Sequence, residues 1–391
     1  VDVGSVEQRR ARLVVRHHLR GDAADPVAAA RAVLALHATD PATVYLSVLS
    51  RCRTASYDDV AEALYEARSL VRMMAMRRTM FVVPAEHVPV VHHGASLDVA
   101  ATLRRRLVKE LTTGPTDPEL PDDVDGWLRA LEGEVEQAVR ELGTASGAQL
   151  AKAVPGLRTA LLPRTTKKYD VRRAVTSQVL VLMGTEGRLV RHRPLGSWTS
   201  RQHTWTAAST CWPDGIAEPG DARAALAEAY LRCFGPATEA DVAWWTGWPL
   251  GTTRKALAAL DVVTTEAGHV LADDADPVEP PAPTAALLPA LDATPMGWKQ
   301  REWFLPEDSR PLYDTFGNIG PTVWWGGEVV GGWAVRADGT VAVRLLAERG
   351  TEAVEAVEAE RVRLEKTLGG TAVVPSFPTP LERELRATST P

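Results

Sequence analysis

Cysteine is scarce in this sequence: Cys52, Cys211 and Cys233 are its only thiols. They stand alone with no C-x-x-C spacing, which argues against a structural zinc site, an iron–sulfur cluster or a disulfide framework and leaves buried thiols as the expectation. Long apolar runs are missing too, so no transmembrane helix is expected. The opening residues Val1-Asp2-Val3-Gly4-Ser5 lack the basic and apolar regions of a signal peptide, and a cytoplasmic location is expected. No P-loop, dinucleotide fingerprint or Gly-x-Ser-x-Gly elbow occurs, so nucleotide hydrolysis and serine hydrolysis lose their usual support. His17-His18 and Glu86-His87 with His92-His93 show no established ligand spacing, so neither a metal nor a cofactor is expected.

An excess of positive charge is also lacking. The formal net charge is −6, whereas affinity for a duplex comes mainly from Lys and Arg on phosphates. A nucleic-acid binder of this composition must segregate its charge, and this one does. Between Arg164 and Arg193 stand Arg164, Lys167, Lys168, Arg172, Arg173, Arg188, Arg191 and Arg193 against Asp170 and Glu186, while the stretch before it is crowded with Asp117, Glu119, Asp122, Asp123, Asp125, Glu132, Glu134 and Glu136. On charge alone, a nucleic-acid surface and a solvated helix face with its wing are equally good readings.

What remains is a soluble globular composition, 45% apolar and 24% charged over 391 residues, long enough for two to four modules. The periodicity predicts a mainly α fold with β (α+β) in four parts. In 1–115, helices over Val6–Leu19, Pro26–His37 and Val60–Arg68 precede an extended stretch from Leu70 to Pro84, the sequence shape of a first winged-helix unit. In 116–205, a helix from Trp127 to Leu142, a capping box at Ser146–Gln149, a recognition helix from Val171 to Met183 capped by Asp170, and a strand from Arg188 to Arg193 form a helix-turn-helix with a wing. In 206–275 the shape recurs: helix Ala222–Phe234, a helix capped at Thr238–Asp241, a helix Arg254–Leu260 capped by Thr252 or Thr253, and a hairpin from Val262 to Leu271. Asp273–Pro283 reads as a linker. In 284–391 the period switches to two, predicting a small β-barrel or curled sheet with a helix Thr351–Leu368 and a frayed tail from Leu381 to Pro391.

The candidate chemistry lies in Leu34-Ala35-Leu36-His37-Ala38-Thr39-Asp40-Pro41, read as the end of an apolar helix stopped by proline. His37 can accept a proton near neutral pH, Thr39 can hold a water, and Asp40 can orient His37 or stabilise a developing oxocarbenium ion. Taken alone, they read better as a structural histidine and an Asp-Pro turn. Trp244-Trp245, Trp248, Trp324-Trp325 and Trp333 read as core, with base stacking near Asn318 as the other reading.

Together these segments resemble the AlkZ/YcaQ-type winged-helix bacterial DNA glycosylases. The resemblance rests on Leu36–Pro41, on Arg78-Thr79-Met80 leading to Val83-Pro84, and on Gly187–Arg191 with Gly196-Ser197-Trp198. It continues through Phe234–Thr238 with Trp244–Gly247, Leu287–Asp292 with Met296-Gly297-Trp298, and Gly317–Trp324 with Val330–Trp333. It implies tandem winged helices and a β-barrel in a C-shaped monomer, with double-stranded DNA, damaged or crosslinked, as partner. The implied activity is monofunctional: excision of bulky N7-alkylated purines or unhooking of interstrand crosslinks, in repair or in self-resistance to a DNA-alkylating natural product. The family's catalytic motif falls on His37-Ala38-Thr39, where it usually has Gln-apolar-Gln or Gln-apolar-Asp, so both outer positions differ here. DNA contacts are expected from Lys167, Lys168, Arg172, Arg173, Arg191 and Arg193, with Arg78, Thr79, Ser197 and Trp198 lining a channel. The alternative is a catalytically inactive winged-helix DNA-binding or regulatory protein.

Overall fold

The computed structural model describes residues 2–168 and 170–387. It is an α+β fold of helices and several small antiparallel sheets. The chain divides into two compact units: Val1–Leu70, Phe81–Pro84 and Arg223–Pro391 form one, and Val71–Met80 with Ala85–Ala222 form the other.

The first unit opens with helix Val6–Arg16, whose N-terminus is capped by the Ser5 hydroxyl. Two of its polar residues are buried and hold the acidic, Pro-rich stretch predicted as a linker. The Gln8 amide exchanges two hydrogen bonds with the Val278 backbone, at 2.9 and 2.8 Å. The Arg12 guanidinium donates to the carbonyls of Asp274 and Asp276, both at 2.6 Å. That stretch is therefore tied down by paired backbone groups, as buried polar groups require.

The helix expected over Pro26–His37 is shorter. It spans Pro26–Arg31; Leu34 then takes a left-handed φ of 61°, and Leu36–His37 is a short strand pairing antiparallel with Val82 and Phe81. Pro41 also acts opposite to expectation. It occupies the first turn of helix Pro41–Arg51, where its missing N–H would have been unsatisfied in any case, so it starts a helix instead of stopping one.

Helix Pro41–Arg51 is buried along its whole length and packs on the C-terminal sheet. That sheet is a four-stranded antiparallel meander of Ala285–Leu288, Thr322–Trp325, Glu328–Val335 and Val341–Leu345, covered also by helix Gly350–Leu368. The alternating sequence predicts these strands, and Trp324, Trp325 and Trp333 are core, as is Trp245. The tail expected to fray instead forms helix Pro380–Ala387, burying Leu381 and Leu385; residues 388–391 lie outside the described ones.

Polar groups join helix and sheet. Arg51 donates to both oxygens of Asp292, at 2.8 and 2.7 Å, with neither side chain exposed. The Ser47 hydroxyl donates to the same carboxylate at 2.6 Å, Arg51 also reaches the Thr294 hydroxyl at 2.6 Å, and Ser50 donates to the Leu287 carbonyl at 2.9 Å. Burial raises the Asp292 carboxyl, but the Arg51 charge and these hydrogen bonds outweigh it and hold the group below its usual range. His17 extends the network, 3.0 Å from the Thr294 hydroxyl and 3.1 Å from the Cys233 carbonyl.

In the second unit, helices Leu97–Thr113, Val124–Leu142, Gly147–Ala153 and Thr176–Thr185 enclose a core around Leu128, Val135, Leu150, Val179 and Met183. The Ser146–Gln149 capping box is formed as predicted. The strand expected as a wing belongs to a three-stranded sheet in the order Thr144–Ser146, His203–Ala207, Leu189–Pro194. The helix expected from Val171 begins five residues later, at Thr176, because Asp170 does not cap it. The Asp170 carboxylate accepts the N–H groups of Arg164 and Thr165 instead, at 2.9 and 2.7 Å, closing a loop.

Removing one partner of a fully buried ion pair strands the other charge. Arg51→Met is therefore expected to cost about 3–5 kcal/mol, and adding Asp292→Leu should recover much of the loss; urea unfolding of the two variants checks this. His17 is held neutral, its pKa pushed down to about 3 by burial and then by the Arg51 charge. Its contribution is present above the ordinary value near 6.5 and is lost as pH falls from there toward 3, because only the unfolded chain takes up the proton. His17→Gln should flatten the fall in stability between pH 7 and 5 by up to about 1.4 kcal/mol per pH unit, read from urea midpoints at each pH.

Candidate functional site

The sequence places His37, Thr39 and Asp40 within four residues, and the first unit holds them on a rigid frame. His37 ends a strand whose partner supplies Phe81 directly opposite. The imidazole is 8% exposed and meets the Phe81 ring edge-on, with centroids 5.7 Å apart. Phe81 lies 6.4 Å from Trp245, which packs 5.2 Å from Tyr230. This aromatic run carries the histidine's position into the core. Thr39 is exposed and Asp40 is half-buried.

Asp40 is the N-cap of helix Pro41–Arg51, yet its side chain makes no capping hydrogen bond. Its carboxylate instead accepts the Ser376 N–H at 3.2 Å and lines a small cavity with Thr43, Pro289, Trp333, Pro375 and Glu382. The cavity measures about 20 Å³, room for a water molecule beside polar walls. The Thr43 hydroxyl donates to the Ala290 carbonyl at 3.1 Å, and the Trp333 indole donates to the Leu288 carbonyl at 2.8 Å, so both walls are pinned at or just beyond the end of strand Ala285–Leu288.

Glu382 is the surprising member of this group. Burial pushes its carboxyl up to about 7, against the pull of hydrogen bonds from the Thr379 N–H and hydroxyl. Thr379 and Glu382 form a reciprocal pair, the Thr379 N–H donating to the carboxyl at 2.9 Å and the Glu382 N–H to the Thr379 hydroxyl at 3.3 Å. The sequence reading missed Glu382 because it let the tail from Leu381 fray, and it singled out nothing at Ser376. The available signal was Thr379-Pro380-Leu381-Glu382, a capping box with proline at the first helical position.

The predicted DNA-contact residues lie in the second unit, which folds its two charge blocks onto one another. Arg188 binds Glu132 and Glu136, at 2.5 and 2.6 Å, and approaches Glu186 at 3.5 Å. Arg104 joins Glu132 and Glu186 at 2.8 and 2.7 Å. Arg172 pairs with Asp117 at 2.7 Å, and Arg173 pairs with Glu110. The run read as a basic patch is thus partly neutralised. Arg172 and Arg173 lie just before helix Thr176–Thr185, not on it, with Arg173 in the short strand Arg173–Ala174.

Lys167, Lys168 and Arg193 are exposed, and Ser197 is exposed beside half-buried Trp198. The Ser197 hydroxyl lies 2.8 Å from that of Thr199. Arg191 is half-buried, its guanidinium 5.2 Å above the Trp205 ring. Arg78 is exposed with a left-handed φ of 58°, one residue before half-buried Thr79.

Cys52 is buried, Cys211 and Cys233 are half-buried, and none of the three is in a disulfide among the described residues. Among the described residues, no three His, Cys, Asp or Glu side chains stand together so as to hold a metal ion, and no helix is long and apolar enough to cross a membrane.

No curated protein sequence matches this chain. Among solved structures, the DNA glycosylase AlkZ of Streptomyces sahachiroi superposes with a TM-score of 0.67 at 19% identity, over 94% of this chain and 98% of that one. At that identity the likeness establishes the fold. The family model for DNA glycosylase AlkZ-like proteins matches residues 30–367, a span that includes the His37–Asp40 segment, the Arg51–Asp292 anchor and the strands Leu189–Pro194 and His203–Ala207. The chain therefore belongs to the AlkZ-like DNA glycosylase family.

Proposed function

We propose that this protein is a monofunctional DNA glycosylase that releases bulky N7-alkylated purines from duplex DNA or unhooks crosslinks through such a base, with His37 as the general base. The observation carrying this reading is that a proton acceptor, a hydroxyl and a carboxylate stand at positions 37, 39 and 40, at the mouth of a helix anchored by a buried ion pair. They occupy the stretch where the family's water-holding motif falls.

An N7-alkylated purine already carries positive charge, so the glycosidic bond can break with its electron pair passing to the base and without a general acid. The chain must supply a water and support for the sugar cation. His37 takes a proton from the water as its oxygen bonds to C1′ of the sugar, Thr39 holds that water, and the Asp40 carboxylate faces the developing oxocarbenium charge. An imidazole accepts a proton where a side-chain amide only orients the water, so replacement of Gln by His at position 37 favours activation. Thr39 is shorter than Gln and leaves space above the motif. With no Lys in the motif, Schiff-base chemistry is not proposed, and the products are an abasic site and a free alkylated base.

We place the duplex on tandem winged helices, the helix-and-hairpin segments ending in Leu189–Pro194 and in Val262–Leu271, with the C-terminal sheet as a small β-barrel. Lys167, Lys168, Arg172, Arg173 and Arg193 hold phosphates, and Arg78, Thr79, Ser197 and Trp198 line the path of the strand. The carboxylate partners of Arg172 and Arg173 are exposed ion pairs of small individual worth, which phosphates can displace.

Purified protein given a duplex with a single N7-alkylguanine, small and then bulky, is expected to release base without added metal. His37→Ala should lower the rate about 10²–10⁴-fold, the usual worth of a general base, while duplex affinity is retained. Binding without release from either adduct would instead favour the inactive DNA-binding reading, which the two altered motif positions keep in view. The double variant Lys167→Ala/Lys168→Ala should weaken binding equally across sequences. It should also reduce the slope of log K against log salt by about 1.8, at about 0.9 per phosphate contact, measured by anisotropy over a salt series.

A further inference from the structure

Away from His37, the second unit contains a cavity of about 380 Å³ between the start of helix Thr176–Thr185 and the wing hairpin. The size is that of a small-molecule site. Leu180, Val181 and Trp205 give it an apolar floor, Arg191 and Arg201 supply positive charge, and no Asp or Glu lines it. A lining of this kind selects a flat apolar body carrying negative charge.

Arg191 points the same way. It stands opposite Trp205 in the sheet, with its guanidinium 5.2 Å from the ring. Its neighbour Arg188 is paired with Glu132 and Glu136, and Arg172 and Arg173 each have a carboxylate neighbour, Asp117 and Glu110. Among the described residues, no carboxylate pairs with Arg191 and no acceptor takes a hydrogen bond from its side chain. Burial, then the Arg72 charge, pushes its pKa down to about 9. A half-buried guanidinium without a counter-charge is a cost that a bound anion removes.

Two further features fit such a ligand. Helix Thr176–Thr185 has Val175 at its N-cap and no side-chain cap, and the Thr176 hydroxyl is used on the Leu157 carbonyl. Its first-turn N–H groups therefore remain for an anion, and Thr176 and Ser177 line the cavity. His203 also lines it. Its Nδ1 donates to the Arg201 carbonyl at 3.3 Å, which leaves Nε2 as an acceptor, buried and without a partner among the described residues. Burial, followed by the Arg191 charge, lowers the His203 pKa to about 4, so the ring stays neutral at working pH and can accept an N–H from a ligand.

We propose that this cavity binds a nucleotide, its phosphate on Arg191, Arg201 and the first turn of helix Thr176–Thr185, its base on Leu180 and Trp205 with an N–H donated to His203. The proposal does not rest on the glycosylase reading, since a chain that cleaves nothing has the same cavity. The ligand chemistry is common to a free mononucleotide and to a nucleotide within a DNA strand.

Calorimetric titration of the full-length protein with deoxyguanosine monophosphate, deoxyguanosine and inorganic phosphate tests it. The monophosphate is expected to bind at least about tenfold more tightly than either fragment, since it alone engages both halves of the site. Arg191→Met, which removes the charge, and Ala148→Phe, which adds bulk at another lining residue, should each weaken it at least about tenfold without lowering the melting temperature. Two sources then separate: a single-stranded trinucleotide that binds more tightly and displaces the monophosphate assigns the cavity to a DNA strand, whereas monophosphate binding that persists under saturating DNA assigns it to a free nucleotide. No binding at millimolar monophosphate, binding no tighter than phosphate alone, or binding unaffected by Ala148→Phe would overturn the proposal.

Discussion

The pair formed by Arg51 and Asp292 is the constraint on which the first unit depends. Both side chains are fully buried, each guanidinium nitrogen that reaches the carboxylate does so at ordinary hydrogen-bond distance, and Ser47 and Thr294 satisfy positions the pair leaves open. Two charges out of water tolerate little displacement, because moving either one exposes the desolvation penalty of the other. Helix Pro41–Arg51 is therefore fixed in register against the strand end at Leu288–Asp292, and Thr43 and Ser50 repeat the register with hydrogen bonds to Ala290 and Leu287. Since Asp40 is the N-cap residue of that helix and His37 lies three residues before Asp40, the candidate catalytic segment inherits the precision of a buried ion pair about three helical turns away.

A second, different use of charge shapes the other unit. Glu132 is 1% exposed on its side chain and is shared by Arg104 and Arg188. The acidic block and the basic block that follow one another in sequence thus neutralise each other across the fold at several points. What remains exposed on the 163–168 loop is a few cations set on a scaffold of paired charges, not a continuous basic face. In the proposed function, contacts of that kind position a duplex without reading its sequence.

Much of this was legible from residue patterns. The capping boxes at Ser146 and Thr238 and the turn at Gly247 form where the sequence places them, because each is decided by side chains within four residues of one backbone. The hairpin from Val262 to Leu271 and the alternating strands around Trp324 and Trp333 are equally local. The errors lie where two local signals competed. The Ala-rich run after Pro26 reads as helix to His37, but Leu34 turns left-handed and Leu36–His37 finds a strand partner at Val82 and Phe81. Asp170 is a good helix cap in isolation, yet its carboxylate is taken by the Arg164 and Thr165 N–H groups.

The sequence by itself determined which chemistry is available: an imidazole, a hydroxyl and a carboxylate at 37, 39 and 40, and the family to which their flanking segments point. It determined helices and turns wherever capping and periodicity agreed. Only the tertiary structure decided that His37 stands on a strand against Phe81, that Ser376 and Glu382 return from the chain's end to the Asp40 cavity, and that Arg188 is consumed by carboxylates while Arg191 is not. The physical reason is the same throughout. Burial and pairing are set by partners tens to hundreds of residues away, whose distances no local pattern encodes.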